Sequence, residues 1–446
     1  MTDNKIKVSM VSLGCCKNQI DGEIMLRCLA DAGYEIIADA GLSDVVIINT
    51  CGFIQSAKEE AIENILEFCT LKEEGRIKKV IITGCLSERY REEVAAEIPE
   101  ADAVVGIGKN KDICEIVKRV LDGEKVTAFG EKTDLSLSGK RVLTNIPTYA
   151  YVKIAEGCSN NCTYCAIPSI RGPFRSRDME DIYAEVKSLC DDGIPEIIIV
   201  AQDTTRYGED IYGEPKLAEL LRKLSEIESL KWLRVLYAYP ERITDELIET
   251  IANEEKIVKY LDIPLQHASR EVLRRMNRRG NKETYLLLIK KLREKVPGIA
   301  LRTSLIAGFP GETEKDFEEL CEFVKEARFE RLGCFSYSQE EGTAAAEFED
   351  QLDEEIKENR ADVVMTEQQT ILTDLAEKEV GKEILVLAEG FDRYAEVYFG
   401  RSYKDSPDID PKVFFSSEKK DIEVGRFYRV KITDTLMFDL IGERID

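Results

Sequence analysis

Three cysteines lie close together in the stretch AEGCSNNCTYCAIP (155–168): Cys158, Cys162 and Cys165. Structural zinc sites commonly use four tetrahedral ligands from paired Cys-x-x-Cys motifs. The stretch holds no fourth cysteine, and the single histidine of the chain, His267, lies far downstream. The spacing favours a group that needs only three protein thiolates. A zinc site is the less favoured alternative. We call these three cysteines the core triad.

A [4Fe-4S] cluster suits the core triad if one of its irons binds something other than protein. Such clusters usually take four cysteine thiolates. A short loop at a strand end can surround three corners of the cube and leave the fourth iron to a substrate or cofactor. Tyr164, directly before the third cysteine, fits the same pattern. We predict an iron–sulfur site with one open iron.

Three other cysteines, Cys15, Cys51 and Cys85, each stand at the end of a predicted parallel strand. The carboxyl ends of parallel strands lie along one edge of a sheet and face a shared crevice. Each cysteine is near a glycine, which lets the backbone approach closely. These residues, the N-terminal triad, predict a second cluster with an open iron. The alternative is a chance placement of three buried cysteines.

The scattered cysteines need no chemical role, because free cysteine is often buried as a small apolar residue. They are Cys28, Cys69, Cys114, Cys190, Cys321 and Cys334. The chain begins MTDNKIKVSMVSLGCC, without the apolar segment of a signal peptide, and no apolar run approaches membrane-spanning length. We expect a cytoplasmic protein with reduced thiols and no membrane contact.

The charge balance is strongly acidic, with 86 acidic and 62 basic residues and a net charge of −24. Binding to nucleic-acid phosphates depends on basic residues, so this balance disfavours a nucleic-acid surface. The same charge suits a basic partner, whose approach it would accelerate. The alternative is that the charge only keeps the protein in solution.

The pattern of apolar segments predicts an α/β protein with three domains. Strand candidates at 6–15, 44–53 and 78–85 alternate with helical patterns, which is typical of a parallel sheet. From residue 149, six further strand candidates alternate with helices, as in a partial (β/α)6 TIM-like barrel with its chemistry at the carboxyl ends of the strands. From about residue 381, short strands with turns predict a small all-β barrel.

We expect the N-terminal sheet domain at 1–125, a linker at 126–148, the partial barrel at 149–376 and the small β-domain at 377–446. The acidic stretch 347–380 is predicted to form a solvated helix.

The Cys-x-x-x-Cys-x-aromatic-Cys loop after the first barrel strand resembles that of the radical S-adenosylmethionine superfamily. With the N-terminal triad added, the chain resembles the methylthiotransferase family of these enzymes. That resemblance implies an N-terminal cluster domain, a radical core and a C-terminal TRAM module. It also implies three cofactors: one [4Fe-4S] cluster on the core triad, a second on the N-terminal triad, and S-adenosyl-L-methionine.

Within this family, several stretches resemble the RimO branch. They are NTCGFIQSAKEE (49–60), VAQDTTRYGEDIYG (200–213), IPLQHAS (263–269) and VYFGRSYKDSPDID (397–410). This branch implies methylthiolation of an aspartate in the twelfth small-subunit ribosomal protein, free or in the assembled small subunit. The TRAM-like segment has 16 acidic and 12 basic residues, which suits a basic protein better than tRNA. The alternative is a MiaB-type enzyme that modifies a tRNA adenosine.

The resemblance implies a radical mechanism. The reduced core cluster would cleave S-adenosylmethionine, and the resulting 5′-deoxyadenosyl radical would remove a β-hydrogen from the aspartate. The substrate radical would capture sulfur at the second cluster, and a second S-adenosylmethionine would supply the methyl group. An electron donor such as flavodoxin and a sulfur donor are the further partners. An alternative of another class is an iron–sulfur scaffold or electron carrier without a substrate.

Polar residues at the ends of the barrel strands are implied as contacts to S-adenosylmethionine, with structural hydrogen bonds as the alternative role. The candidates are Tyr164, Gln202, Asp203, Asp262, Gln266, Arg302, Ser304 and Ile306. One departure from the family concerns Cys16, which stands where the family usually has proline. The resemblance assigns the ligand to Cys15, although an adjacent thiol is a second possibility.

Overall fold

The computed structural model describes residues 5–419 and 421–446. The first domain is a sheet of six parallel strands with helices around it. Its strands are β1 (Lys7–Ser12), β2 (Glu35–Ile36), β3 (Val45–Thr50), β4 (Lys79–Gly84), β5 (Ala103–Val105) and β6 (Val126–Ala128). Its helices are α1 (Cys16–Asp31), α2 (Gln55–Glu73), α3 (Cys85–Glu97) and α4 (Ile113–Leu121). The strand order is β2-β1-β3-β4-β5-β6, so β1, β3 and β4 are neighbours.

The apolar segments at 44–53 and 78–85 form β3 and β4 because their residues are buried on both faces of the sheet. All six residues of β3 are buried, as are five of the six in β4. Continuous apolar runs of this kind are typical of central parallel strands. The segment expected as a linker, 126–148, starts with β6, which pairs with β5 and completes the first sheet.

The second domain has a six-stranded parallel sheet that stays open between its two edge strands. The eight strands of this domain are β7 (Tyr149–Lys153), β8 (Ala155–Glu156), β9 (Arg175–Ser176), β10 (Glu196–Val200), β11 (Trp232–Val235), β12 (Ile257–Asp262), β13 (Ala300–Ala307) and β14 (Arg331–Ser336), of which all but β8 and β9 belong to the sheet. The order is β7-β10-β11-β12-β13-β14, and β8 and β9 form a separate antiparallel pair. All six strand candidates of the partial barrel are confirmed.

Helices cover this second sheet. They are α5 (Ile167–Arg171), α6 (Met179–Asp191), α7 (Glu209–Tyr212), α8 (Leu217–Ser225), α9 (Asp245–Asn253), α10 (Arg270–Arg275), α11 (Lys282–Lys295), α12 (Glu314–Ala327) and α13 (Glu354–Glu377). The helix expected to be solvated, α13, has one buried face that includes Val364 and Ile371, which belong to the core of this domain. It therefore acts as the last covering helix of the sheet, and only its outer face is acidic and solvated.

The third domain is a closed five-stranded barrel. Its strands are β15 (Glu383–Asp392), β16 (Val397–Arg401), β17 (Val413–Ser416), β18 (Phe427–Leu436) and β19 (Asp439–Arg444), in the order β15-β16-β17-β19-β18. The barrel is filled by apolar side chains such as Val386, Phe415 and Val430. The predicted α/β class with a small C-terminal β-barrel is confirmed.

The small barrel contacts the open sheet through a buried ion-pair cluster and an acidic loop. Glu196 on β10 accepts from Arg234 at 2.7 Å and from Arg401 on β16 at 2.6 Å. In the loop after β16, Asp408 accepts from Tyr149 and Asp410 accepts from Tyr260, each at 2.8 Å. This loop includes most of the RimO-like stretch 397–410, so that stretch joins two domains.

Candidate cluster-binding site

The N-terminal triad lies at the carboxyl ends of three neighbouring strands, as the sequence predicts. Cys15 follows β1, Cys51 directly follows β3, and Cys85 is the first residue of α3 after β4. Gly14 has a φ of +88°, and a Cβ atom there would lie 2.7 Å from the Cβ of Cys51. At Gly52 a Cβ would lie 2.7 Å from the backbone of the residue after Cys85. The glycines therefore let the three loops approach one another.

The three thiols of the N-terminal triad are close enough to interact electrostatically. Burial raises the pKa of Cys51, and the neighbouring Cys15 raises it further. Burial also raises the pKa of Cys85, to about 12; Arg171 opposes this rise, and the other two thiols of the triad add to it. Cys15 is exposed and lines an open pocket of about 310 Å³ that Tyr149 and Asp408 also line. The triad is thus buried on one side and open to solvent on the other.

Cys16, the neighbour of Cys15, contacts the second domain. Its Sγ lies 4.0 Å from the Oη of Tyr237, two residues after β11, and it packs against the same buried cluster as Tyr151. Burial raises the pKa of Cys16. The side chain of Cys16 thus belongs to the contact between α1 and the second sheet.

The core triad lies in the loop between β8 and α5. The amide of Cys158 donates to the carbonyl of Gly172 at 3.1 Å, and that of Cys165 donates to the carbonyl of Cys162 at 3.1 Å. Burial raises the pKa of Cys158, and Cys162 raises it further. Burial raises the pKa of Cys165 to about 12, with Cys162 and Cys158 adding to the rise. The loop thus folds its three thiols toward one another.

The two triads are neighbours across the domain boundary. Ala166 and Ile170, in the segment directly after the core triad, pack against Cys85. Arg171, the last residue of the same helix, donates from Nη2 to the Sγ of Cys85 at 3.3 Å. One short segment therefore connects the loop of the core triad to a thiol of the N-terminal triad.

A cluster of four buried charges lies between the triads. Lys153 contacts Asp21 at 2.5 Å and Glu156 at 2.6 Å. Arg171 contacts Asp21 at 2.7 Å and Glu156 at 3.1 Å. Although burial opposes ionisation, Lys153 and Arg171 hold the pKa of Glu156 well below its usual value. Two acids and two bases thus compensate one another in the interior, as buried charges require.

These four charged residues are absent from the candidates predicted from the sequence. The available signal was the placement of charged residues inside apolar stretches, in YVKIAEG (151–157) and in the first helix. Charged residues are almost never fully buried unless they are paired. The two pairs that involve Asp21 join residues more than a hundred positions apart, which the sequence pattern does not reveal.

A single metal ion and a cluster place different demands on the thiols. Among residues 5–419 and 421–446, no three His, Cys, Asp or Glu side chains are grouped to hold one metal ion. A zinc ion requires thiolates about 2.3 Å from a common centre. The thiolates of a [4Fe-4S] cluster are ligands of different iron atoms and therefore stand further apart. A [4Fe-4S] cluster with one open iron needs three thiolates, which is the number that each triad provides.

Of the expected cofactor contacts, Gln202 has an unused acceptor. Its Nε2 donates to Glu156 at 2.9 Å, while its buried Oε1 has no partner in the described chain. Asp203 is occupied, because it accepts from Asn160 and from Arg242, each at 2.9 Å. These contacts favour a ligand role for Gln202 and a structural role for Asp203.

Further contacts to S-adenosylmethionine are expected at or after the end of β12 and on β13. Asp262 accepts from Arg302 at 2.9 Å and from the amide of Tyr237 at 3.0 Å, so both of its oxygens are engaged. Gln266 has a φ of +73°. Its backbone bonds to two residues of β13, accepting from the amide of Ile306 at 2.7 Å and donating to the carbonyl of Ser304 at 2.9 Å. The side chains of Ser304 and Ile306 are half-buried.

Tyr164 and His267 have largely internal environments. Burial raises the pKa of Tyr164 well above its usual value, and Cys162 adds to the rise. The Nδ1 of His267 accepts from the amide of Ser269 at 2.9 Å, and its Nε2 lies 3.2 Å from Glu312. This histidine is therefore fixed within the core and plays a structural role.

Comparison with known families fits this arrangement. Residues 152–324 match the Radical SAM superfamily, residues 7–106 match the Uncharacterized protein family UPF0004, and residues 380–445 match the TRAM domain. The three-cysteine loop and the strands β10 to β13 of the open parallel sheet lie within the first of these matches. Together they define a radical S-adenosylmethionine enzyme.

The chain belongs to the RimO family of methylthiotransferases. A relative from Clostridium botulinum (strain Hall) is 49% identical over 440 residues, which cover 98% of each chain. A relative from Pelotomaculum thermopropionicum is 51% identical over 442 residues, which cover 99% of each chain. Both relatives carry the name ribosomal protein uS12 methylthiotransferase RimO.

Solved structures share the fold at low sequence identity. The radical S-adenosylmethionine methyltransferase TsrM from Kitasatospora setae, with cobalamin and a [4Fe-4S] cluster bound, has a TM-score of 0.56 and 13% identity, over 74% of this chain and 72% of that one. The cobalamin-dependent radical enzyme OxsB has a TM-score of 0.51 and 12% identity, over 82% of this chain and 58% of that one. These similarities concern the fold alone.

Membership in this class implies a [4Fe-4S] cluster and S-adenosylmethionine, and the residues present fit both. The core triad supplies three thiols and no fourth, which leaves one iron for the cofactor. The unpartnered Oε1 of Gln202 is an acceptor available to an ammonium group. Among the described residues, no helix is long and apolar enough to cross a membrane.

Proposed function

We propose that this protein methylthiolates the β-carbon of an aspartate in ribosomal protein uS12, the twelfth protein of the small subunit. The observation that carries the proposal is the meeting of two cysteine triads at one domain boundary, where Arg171 joins the helix after Cys165 to the Sγ of Cys85 at 3.3 Å. The names of the relatives support the choice of substrate.

Each triad has a defined task in this proposal. Cys158, Cys162 and Cys165 hold the cluster that binds S-adenosylmethionine, and Cys15, Cys51 and Cys85 hold a second [4Fe-4S] cluster. When bound, these cofactors supply a radical that can break a C–H bond, a sulfur atom and a methyl group. The protein supplies binding, orientation and exclusion of competing reactions.

The chemistry of the substrate explains why two metal sites are needed. The β C–H bond of aspartate is unreactive toward an acid–base pair, so a general base alone would not break it. Adjacent triads let the carbon that loses hydrogen meet the sulfur without moving between distant sites. Holding two reacting groups together in this way removes much of the entropic barrier.

Glu156 connects the core triad to the buried charges that lie between the two triads. Glu156 precedes the core triad by two positions and accepts from the amide of Gly157 at 3.0 Å and from Gln202 at 2.9 Å. Its other oxygen is held by Lys153 at 2.6 Å. Glu156 therefore orients Gln202, whose free Oε1 we assign to the amino group of S-adenosylmethionine.

We assign the substrate side to the acidic surface of the protein. The net charge of −24 and the acidic TRAM domain favour a basic protein over tRNA. The division into a cluster domain (1–125), a radical core (149–376) and a substrate-recruiting TRAM domain (377–446) follows from this proposal. The ribosomal substrate implies a cytoplasmic location, with a flavodoxin-like electron donor and a sulfur donor as further partners.

A competition experiment tests the substrate. Reconstituted protein, reductant, sulfide and S-adenosylmethionine are mixed anaerobically with both uS12 and tRNA, and each substrate is analysed by mass spectrometry. A methylthio group on an aspartate of uS12 alone supports the proposal. A methylthio group on tRNA alone would overturn it in favour of the MiaB-type alternative. Cleavage of S-adenosylmethionine alone, with neither substrate modified, would keep the radical core but reject both substrates.

A further inference from the structure

Among the described residues, Arg171 is the side chain that touches both a triad thiol and the buried charges between the domains. It is 1% exposed, and its Nη2 lies 3.3 Å from the Sγ of Cys85 and 3.2 Å from the Oδ1 of Asn18. Its Nη1 donates to Asp21 at 2.7 Å and to Glu156 at 3.1 Å. The guanidinium is therefore fixed from several sides, and its orientation toward the thiol is set by its partners.

The charges around Arg171 balance. Asp21 and Glu156 supply two negative charges, and Lys153 and Arg171 supply two positive charges, with each side chain no more than 1% exposed. Of these four buried groups, Arg171 is the one that donates a hydrogen bond to a cysteine of the N-terminal triad. Removal of one member would leave a net charge a few ångströms from that triad, in an interior where screening is weak.

We propose that Arg171 is a positioning residue that holds Cys85 as a ligand of the second cluster and raises the reduction potential of that cluster. The proposal rests on the function proposed above, in which the N-terminal triad holds a [4Fe-4S] cluster. Hydrogen bonds to cluster sulfurs and nearby positive charge favour the reduced, more negative state. Asp21, by its negative charge, acts in the opposite sense.

The test is a redox titration of the second cluster, followed by electron paramagnetic resonance. The full-length chain carries alanine at Cys158, Cys162 and Cys165, so that only the second cluster assembles. Into this background we place Arg171→Gln, Arg171→Lys and Asp21→Asn. The matched control is Arg141→Gln, which removes another buried arginine that pairs with α1 through Glu23 at 3.1 Å. No contact joins Arg141 to a thiol among the described residues.

The proposal expects shifts whose sign follows the charge removed. Arg171→Gln moves the midpoint to a more negative potential, and Asp21→Asn moves it to a more positive one. Arg171→Lys, which keeps the charge but loses the planar guanidinium, gives a smaller negative shift than Arg171→Gln. The Arg141→Gln control stays at the value of the background. A merely structural role for Arg171 would not produce opposite shifts.

Two results would overturn the proposal. One is equal midpoints for Arg171→Gln and Arg141→Gln; the other is a shift of Asp21→Asn in the negative direction. If the Arg171→Gln chain retains no cluster, Arg171→Lys and Asp21→Asn decide the question by the same signs. A background chain that assembles no cluster on the N-terminal triad would reject the proposed function as well, and iron analysis of that chain identifies this case.

Discussion

At the scale of single residues, Cys15 and Cys16 are adjacent in sequence but their side chains lie in different environments. Cys15 is exposed after β1 and close enough to Cys51 to add to the rise that burial causes in the pKa of Cys51, whereas the Sγ of Cys16 lies 4.0 Å from the Oη of Tyr237, just after β11. The sequence alone left both thiols as possible ligands. We propose Cys15 as the ligand, because, beyond the effect of burial, it is the thiol of the two that raises the pKa of both Cys51 and Cys85.

This assignment predicts different outcomes for two neighbouring substitutions. Cys15→Ala lowers the iron content from about eight to about four atoms per chain, since only the core cluster remains. Cys16→Ala retains about eight, because it removes only a packing contact. Iron and sulfide analysis of the anaerobically reconstituted proteins measures both. An iron loss in Cys16→Ala that matches the loss in Cys15→Ala would contradict the assignment.

The placement of the cysteines at strand ends and in one loop could be predicted from the sequence, but their charged neighbours could not. A cysteine type, its spacing and its place at a strand end are all visible in the sequence. The partner of Asp203 is Arg242, and that of Lys153 is Asp21, and neither pairing follows from local pattern. Such contacts depend on tertiary packing. The sequence therefore predicts Asp203 and Asp262 as ligands, whereas in the structure each carboxylate accepts from an arginine.

At the scale of the elements, the loops after β1, β3 and β4 depend on glycines to approach closely. Gly14 has a φ of +88°, which side chains rarely adopt, and a Cβ there would lie 2.8 Å from the Sγ of Cys51. Gly33, after α1, has a similar φ of +95°, but a Cβ there would meet no atom of the described chain within 4 Å. A side chain at Gly33 would therefore cause backbone strain alone, whereas one at Gly14 would cause backbone strain and a steric clash with Cys51.

Substitutions at these two glycines should therefore differ in their effect on the second cluster. Gly14→Ala and Gly33→Ala each cost about 1–2 kcal/mol of backbone strain. Only Gly14→Ala also displaces Cys51, so it loses the second cluster and keeps the core cluster. Iron content and the absorbance of the reconstituted clusters distinguish the two variants. Full iron content in Gly14→Ala would show that the loop tolerates the side chain.

The long elements could be predicted, and the short ones could not. Apolar runs at 44–53 and 78–85, and six more in the core domain, are long enough to identify strands. By contrast, β2, β5 and β6 have only two or three residues and carry no periodicity of their own. The buried face of α13 is not evident from the sequence, because its narrow apolar stripe lies among many acidic residues. Its contacts with β13 and β14 form only in the folded chain.

At the scale of the whole molecule, a further ion-pair cluster, centred on Glu340, holds the N-terminal domain against the loop after β14. Glu340 accepts from Lys58 on α2 at 3.0 Å and from Arg89 on α3 at 2.7 Å. Although burial opposes it, hydrogen bonds from Ser338, Lys58 and Arg89 keep the pKa of Glu340 below its usual value. This contact lies apart from the charges around Arg171 and secures the same domain boundary.

The lowered pKa of Glu340 predicts a pH-dependent contribution to stability. Because the pKa is lower in the folded state, the contribution is complete above the unfolded value of about 4.3 and is lost as the pH falls through the folded value. Glu340→Gln should lower the free energy of unfolding at pH 7 by about 1–3 kcal/mol, since it leaves two cations without their partner. Urea unfolding of the metal-free chain at about pH 7 and about pH 3 measures this.

The difference between the wild-type chain and Glu340→Gln should shrink at the lower pH. A difference of equal size at both pH values would mean that the Glu340 charge contributes nothing to the contact. Glu341→Gln serves as a neighbouring control, because Glu341 is more exposed and pairs with Tyr90 rather than with a cation.

The central claim is that both triads act together on one aspartate, and the most direct test removes one thiol at their boundary. Wild-type protein and Cys85→Ala are each incubated anaerobically with reductant, sulfide, S-adenosylmethionine and uS12. Mass spectrometry then measures methylthio-aspartate and 5′-deoxyadenosine in each sample. We predict both products from the wild-type protein and only 5′-deoxyadenosine from Cys85→Ala. Methylthio-aspartate formed by Cys85→Ala at the wild-type level would contradict the account.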